Sequence, residues 1–267
     1  MLKKRVIFVL LYDNGIFSYS RNFCLQKVGD LNWLKQNYNF SHISFFIDEL
    51  IILDVSRGER DSDKFNDHIG ALTEECFIPI AAGGGIEPAS QARDLFKHGA
   101  DKIVINSLAS ASTEVINEIS MEFGRQSVVI SVDAKLEEGK FNSWINSGST
   151  RHTPLLEWLT DISKLPIGEL YLNPIDNDAV GNGYHLDLLD SLPESFPVPI
   201  ILAGGAGKYE HFADALQDDR VNAVATANLF NFIGNGLEKS RNKLLSNGFN
   251  LAHWDSYIAL KMKNILI

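Results

Sequence analysis

The chain is predicted to fold as a single α/β domain, a closed (β/α)8 barrel made of two similar halves. Three observations predict this. Eight apolar runs rich in Val, Ile and Leu recur along the 267 residues, separated by stretches of helical periodicity. The runs are continuous rather than alternating, as parallel strands covered by helices require. Two segments are near copies: PIAAGGGI from Pro79 and VPIILAGGAGK from Val198 each lead an apolar run into a glycine pair. Gly84-Gly85 and Gly204-Gly205 stand about half a chain apart.

The first strand is expected over Arg5–Leu11. The basic start and short apolar run of MLKKRVIFVLL could pass for a signal peptide. The run stops at Tyr12-Asp13-Asn14-Gly15 without a small-residue cleavage pattern, so it reads as a strand. Further strands are expected at Glu49–Val55, Ile78–Ala82, Lys102–Asn106, Ser127–Asp133, Glu169–Ile175, Pro199–Ala203 and Val221–Thr226. Amphipathic stretches such as Pro88–His98, Ala111–Phe123 and Leu155–Ser163 lie between them. Eight strand–helix units in about 250 residues favour a closed barrel over an open doubly wound sheet. No low-complexity linker divides the chain. One domain is therefore expected over 1–267, with halves of about 1–123 and 124–250 and a C-terminal extension over 251–267 packed outside.

A hydrophobic share of 45% supplies a sizeable core, and a net charge of −10 argues against nonspecific nucleic-acid binding. No run approaches the roughly 20 residues of a membrane span. Cys24 and Cys76 lack metal-like spacing and read as free thiols of a cytoplasmic protein. The seven histidines show no paired spacing, so no metal is expected, nor any cofactor.

In such a barrel, the C-terminal strand ends and the loops after them build the site. The glycine pairs fall there, after strands three and seven. Glycine lets backbone N–H groups approach an anion with no Cβ in the way, so each pair is a candidate phosphate cradle. A tight strand-to-helix turn is the plainer alternative. Asn106 and Ser107 are candidates for the first cradle, or simply for capping the next helix; Asn228 belongs with the second. Asp133 ends strand five, Asp54 ends strand two and Asp178 lies in the loop DNDAVGNG, which makes these three the candidate acid–base residues. In the half-repeat, the counterpart of Asp133 on strand one is Leu11, where a symmetric two-carboxylate site would need an acid.

ELIILDVS, PIAAGGGI, GADKIVINS, VVISVDAK, GELYLNPID and AGGAGKYEHF, in this order and spacing, resemble the cyclase subunit of imidazole glycerol phosphate synthase. That subunit is a (β/α)8 barrel of histidine biosynthesis that works with a glutaminase subunit. The resemblance runs from the N-terminus to about Asn250. It implies two catalytic aspartates, of which one falls on Asp133 and the other on Leu11, an apolar residue. A substrate-site lysine falls on Tyr19. Asp178 keeps an acid position, while Ala179 and Val180 replace a small polar pair. The resemblance also implies an ammonia entrance at the N-terminal end, a ring of alternating charges falling on Arg5, Glu49, Lys102 and Glu169. Asp101 falls on an acid that touches the glutaminase. As partly exposed pairs at a barrel mouth, the ring residues are expected to add roughly 0–1 kcal/mol.

The reaction face departs from the resembled pattern while the entrance ring keeps it. The expected function is therefore that of a divergent cyclase-like subunit, paired with a glutaminase in a heterodimer and acting on a phosphorylated small molecule. Divergent copies resemble proteins that serve amidation or amidination of surface-polysaccharide sugars. The alternatives are an authentic cyclase of histidine biosynthesis, using Asp13 or Asp54 as a rearranged acid, and a barrel that only scaffolds a glutaminase. A related sugar-phosphate isomerase would share the glycine sites but have no use for the ring.

Overall fold

The structure, a computed structural model, describes residues 3–38, 40–227 and 235–253. The expected Asn228 and most of the C-terminal extension lie outside the described residues. The elements run β1 (Arg5–Asp13), β2 (Ile16–Arg21), β3 (Cys24–Asp30), α1 (Leu31–Asn37), α2 (Phe40–Ile43), β4 (Glu49–Asp54), α3 (Ser62–Thr73), β5 (Ile80–Gly83), α4 (Ala89–Lys97), β6 (Lys102–Ile105), α5 (Leu108–Ala111) and α6 (Thr113–Phe123). They continue with β7 (Val128–Glu137), β8 (Lys140–Ile145), β9 (Thr150–Pro154), α7 (Leu155–Ile162), β10 (Glu169–Pro174), β11 (Ile200–Leu202), α8 (Tyr209–Gln217), β12 (Val221–Thr226) and α9 (Gly236–Ser246).

Eight strands pair in parallel in the order β10-β11-β12-β1-β4-β5-β6-β7, and β7 pairs with β10 to close the ring. This is the expected (β/α)8 barrel. Each apolar run buries residues on two sides. Val6, Phe8, Leu10 and Tyr12 of β1 pack outward against the helices, while Ile7 and Val9 fill the lumen. The helices are built to match: α3 is capped by Asp61, which accepts from Lys64 N at 3.0 Å, and buries Phe65, Ile69 and Leu72. Between β10 and β11 the covering element is only a 3-10 turn over Leu186–Ser191.

Two antiparallel hairpins add to the barrel. β2 and β3 extend from β1, and β8 and β9 extend from β7. Their turns carry left-handed residues in pairs, Asn14 (φ 46) with Gly15 (φ 95), and Glu138 (φ 50) with Gly139 (φ 76). This backbone twist suits a two-residue hairpin connection. Paired in this way, the first strand runs on to Asp13 and the fifth to Glu137, beyond their expected ends.

Asp48 and Arg241 fasten α9 to the strand-two side, through bonds of 2.9 and 2.7 Å with both groups buried. Among the described residues, no helix is long and apolar enough to cross a membrane. Cys24 is exposed and Cys76 buried, both as free thiols.

Candidate active site at the C-terminal face

A cavity of about 1390 Å³ opens at the C-terminal ends of the barrel strands. It is lined by every described candidate on this face: Asp54, Asp133 and Asp178, together with Gly84, Gly85, Asn106, Ser107, Gly204 and Gly205.

Asp133 is its chemical centre. β7 carries it inward, where it is 6% exposed. Asn106 Nδ2 donates to its Oδ2 at 2.9 Å, and Asn173 Nδ2 lies 3.5 Å from its Oδ1. Burial pushes the carboxyl up to about 7, against the pull of those two amides; the nearby Asp178 charge adds to the rise. A carboxyl of this kind can give or take a proton near neutral pH. Leu11 sits at the corresponding level of β1, which lies four strands from β7 either way round the ring. It packs against the edge of the lumen cluster, as Leu53 and Ala227 do.

The other two candidate acids have local tasks as well. Asp178 accepts from Ser20 Oγ and from Phe23 N at 3.1 Å, so it holds the β2–β3 hairpin over the cavity. Burial raises its carboxyl, and these two donors oppose the rise. Asp54 Oδ1 accepts from Ser56 N at 2.9 Å, and its Oδ2 lies 3.6 Å from Arg60 Nε. Burial raises it too, opposed by Ser56 and Arg60.

Close backbone approach fixes the glycines. At Gly84 (φ +110) a Cβ would lie 2.0 Å from the Asp54 carbonyl oxygen. At Gly205 (φ +97) it would lie 2.1 Å from that of Gly183. Turn geometry alone thus demands glycine at both, and an anion would be an additional use of the same loops. The helices that follow, α4 and α8, begin at Pro88 and Lys208 without a side-chain N-cap bond. Asn106 spends its amide on Asp133. Ser107 Oγ accepts from Asn146 N at 2.9 Å, tying the β8–β9 turn to strand four.

At the N-terminal mouth, the four expected ring residues meet. Arg5 binds Glu49 at 2.8 Å and Glu169 at 2.5 Å, and Lys102 Nζ lies 2.8 Å from each of the same two carboxylates. The ring is closed and charge-balanced. The cations are partly exposed, Lys102 to 18%, but the Glu49 side chain is only 2% exposed, so the expected weak stabilising value needs correction. The carboxylates point into the barrel floor, where the lumen walls shield them. Burial raises the Glu49 carboxyl, opposed chiefly by Lys102. Asp101 stands beside the ring, and its Oδ2 accepts from Ile80 N at 2.8 Å. Asp48 and Asn222 accept in the same way from Val6 N and Ile200 N, so part of Asp101's role is to complete the strand ladder.

The family described as histidine biosynthesis protein matches residues 35–234. The chain belongs to the imidazole glycerol phosphate synthase cyclase-subunit family. It is 43% identical, over 95% of both chains, to a Parasynechococcus marenigrum (strain WH8102) protein provisionally named imidazole glycerol phosphate synthase subunit hisF2. It is 32% identical to the imidazole glycerol phosphate synthase subunit HisF of Clostridium botulinum (strain 657 / Type Ba4), over 94% of this chain and 99% of that one. The corresponding HisF of Flavobacterium johnsoniae is also 32% identical, over 93% and 98%. The match to the family described as histidine biosynthesis protein begins past the strand that carries Leu11, whereas these relatives align over nearly the whole chain.

Three residues around Asp133 and the first cradle are missing from the sequence reading. Asn173 and Tyr171 follow Glu169 at a period of two along β10, which puts all three on the lumen side. That period was a usable signal. Arg60, whose guanidinium lies over Gly85, gave none.

Proposed function

We propose that this barrel is a divergent cyclase-type synthase subunit. It receives ammonia from a glutaminase docked on its N-terminal face as a heterodimer, and adds it to a phosphorylated small molecule held over Asp133. The product serves amidation or amidination of a surface-polysaccharide sugar. One observation carries this reading: Leu11 faces the lumen where a two-acid site needs its second carboxyl, while the four-charge ring on the opposite face is complete. Asp133 handles the proton. Gly84, Gly85 and Ser107 at one end, and Gly204, Gly205 and Asn228 at the other, hold anionic groups, with helix N-termini behind them. Arg5, Glu49, Lys102 and Glu169 form the ammonia entrance, and Asp101 meets the partner.

The test is turnover of the family's cyclase substrate with added ammonia. One positioned acid–base group contributes about 10²–10⁴-fold, so this protein should run at least ~100-fold below a relative that has both aspartates. Leu11→Asp should recover part of the difference. Full activity in the unmodified protein would sink the divergent reading. It would favour an authentic cyclase of histidine biosynthesis with a rearranged acid, and of Asp13 and Asp54 it is Asp54 that lines the cavity.

A further inference from the structure

Between the charged ring and Asp133, the lumen wall is mostly aliphatic, formed by Ile7, Val9, Ile51, Val104, Val129 and Ile201 among others. Tyr171 interrupts it. Its strand, β10, sends three residues inward in succession: Glu169 in the ring, Tyr171, and Asn173 beside Asp133. Two residues of strand rise about 6.6 Å, so the phenol stands one step above the ring and one step below the carboxyl.

Tyr171 is buried, yet it lines the cavity. Among the described residues, its hydroxyl makes no hydrogen bond. A buried phenol normally finds a partner, and one that faces a cavity without any is open to a visiting molecule. Burial, and then the charges of Asp133 and Asp178, push its ionisation far above the ordinary tyrosine value, so the proton stays in place at every working pH. The group therefore offers one O–H donor and two lone pairs, a match for a small neutral molecule with one lone pair and several N–H bonds.

We propose that the Tyr171 hydroxyl is a station that holds ammonia in the lumen directly beneath Asp133. The inference rests on the proposed ammonia-using function and deepens it. Tyr171 acts here as a positioning residue: it orders the nucleophile on the dry side of the site and takes no part in bond making.

Ammonium chloride is the probe, titrated into protein carrying 13C-labelled aspartate while the Asp133 carboxyl resonance, assigned with Asp133→Asn, is followed. The titration is run at pH 7 and pH 9, with sodium chloride as control. In the unmodified protein a saturable shift is expected that strengthens at pH 9 in step with free ammonia. Tyr171→Phe, which keeps the ring and its packing, should weaken the apparent affinity at least fivefold, and Tyr171→Leu should do no better. Equal affinity in the phenylalanine variant would overturn the station while leaving the ammonia-using function standing. No saturable shift in the unmodified protein would likewise overturn the station, while the ammonia-using function stands or falls by the turnover test. A stronger response in Tyr171→Leu would show a plug, not a station.

Discussion

Asp133 makes the sharpest quantitative test of the site. Its carboxyl is raised to about 7 in the folded chain, against about 3.9 in an unfolded one. Between these values the native state binds the extra proton, so stability must fall as pH rises through the window and level off above it. For this one group, linkage gives a loss of about 2.5 kcal/mol between pH 5 and pH 8, an order-of-magnitude figure. Asp54 and Asp178 are also raised by burial and tilt the curve the same way, so the slope of the unmodified protein alone does not isolate Asp133. The comparison with Asp133→Asn does. The new amide sets itself against the donors of Asn106 and Asn173 and shifts the whole curve, but it cannot titrate. Urea unfolding of both proteins at pH 5, 6, 7 and 8 should show the unmodified chain losing about 2.5 kcal/mol more than the variant across the range. Parallel curves would mean that Asp133 ionises as an ordinary carboxylate, and its assignment as a neutral-pH acid–base group would go with them.

Other substitutions probe the floor and the cradles. Lys102→Ala leaves two buried carboxylates to Arg5 alone, and should cost about 1–3 kcal/mol, between the values of exposed and buried pairs. A loss in urea unfolding below about 0.5 kcal/mol would return the ring to the status of a solvated network. Gly84→Ala brings a Cβ against the Asp54 carbonyl, whereas Gly139→Ala meets nothing within 4 Å and carries only left-handed strain. The first should cost at least about 3 kcal/mol and the second about 1, as read from thermal unfolding. Equal losses would mean that the cradle is not as tight as the structure draws it.

The eight barrel strands were legible because each is buried on both faces, and burial on both faces writes a continuous apolar run. The hairpins were not, since β3 reads CLQKVGD and is largely exposed or half-buried, leaving no run to find. Their only trace was turn chemistry, Asn14-Gly15 and Glu138-Gly139, where a left-handed pair is needed. Within the site, strand-tip position pointed to Asp133, and sequence repetition to the glycine pairs. Resemblance, not periodicity, pointed to the ring, and no pattern of residues warned of how deeply Glu49 is buried. Asn106 illustrates a different limit. Its place after strand four was visible, but the choice between an anion and the Asp133 carboxylate depends on a neighbouring strand.

The two hairpins recast what the residues near the first cradle do. Each extends from the first strand of one half of the ring, and each bends over the cavity, so that a Cβ on Gly148 would meet the Phe23 ring at 2.6 Å. Asp178 holds the first hairpin through Ser20 and Phe23, and Ser107 holds the second through Asn146 N. Ser107 accepts in that contact, while its own proton faces Asn106 Oδ1 at a loose 3.3 Å. Under the proposed function, an anion at this cradle can take that proton by rotation of the hydroxyl, leaving the bond to Asn146 intact. Asn106 would then lose a weak donor on its carbonyl while its amide stays on Asp133. Occupancy of the cradle and the environment of the acid–base carboxyl are thus joined through a single asparagine, and no movement of the barrel is required.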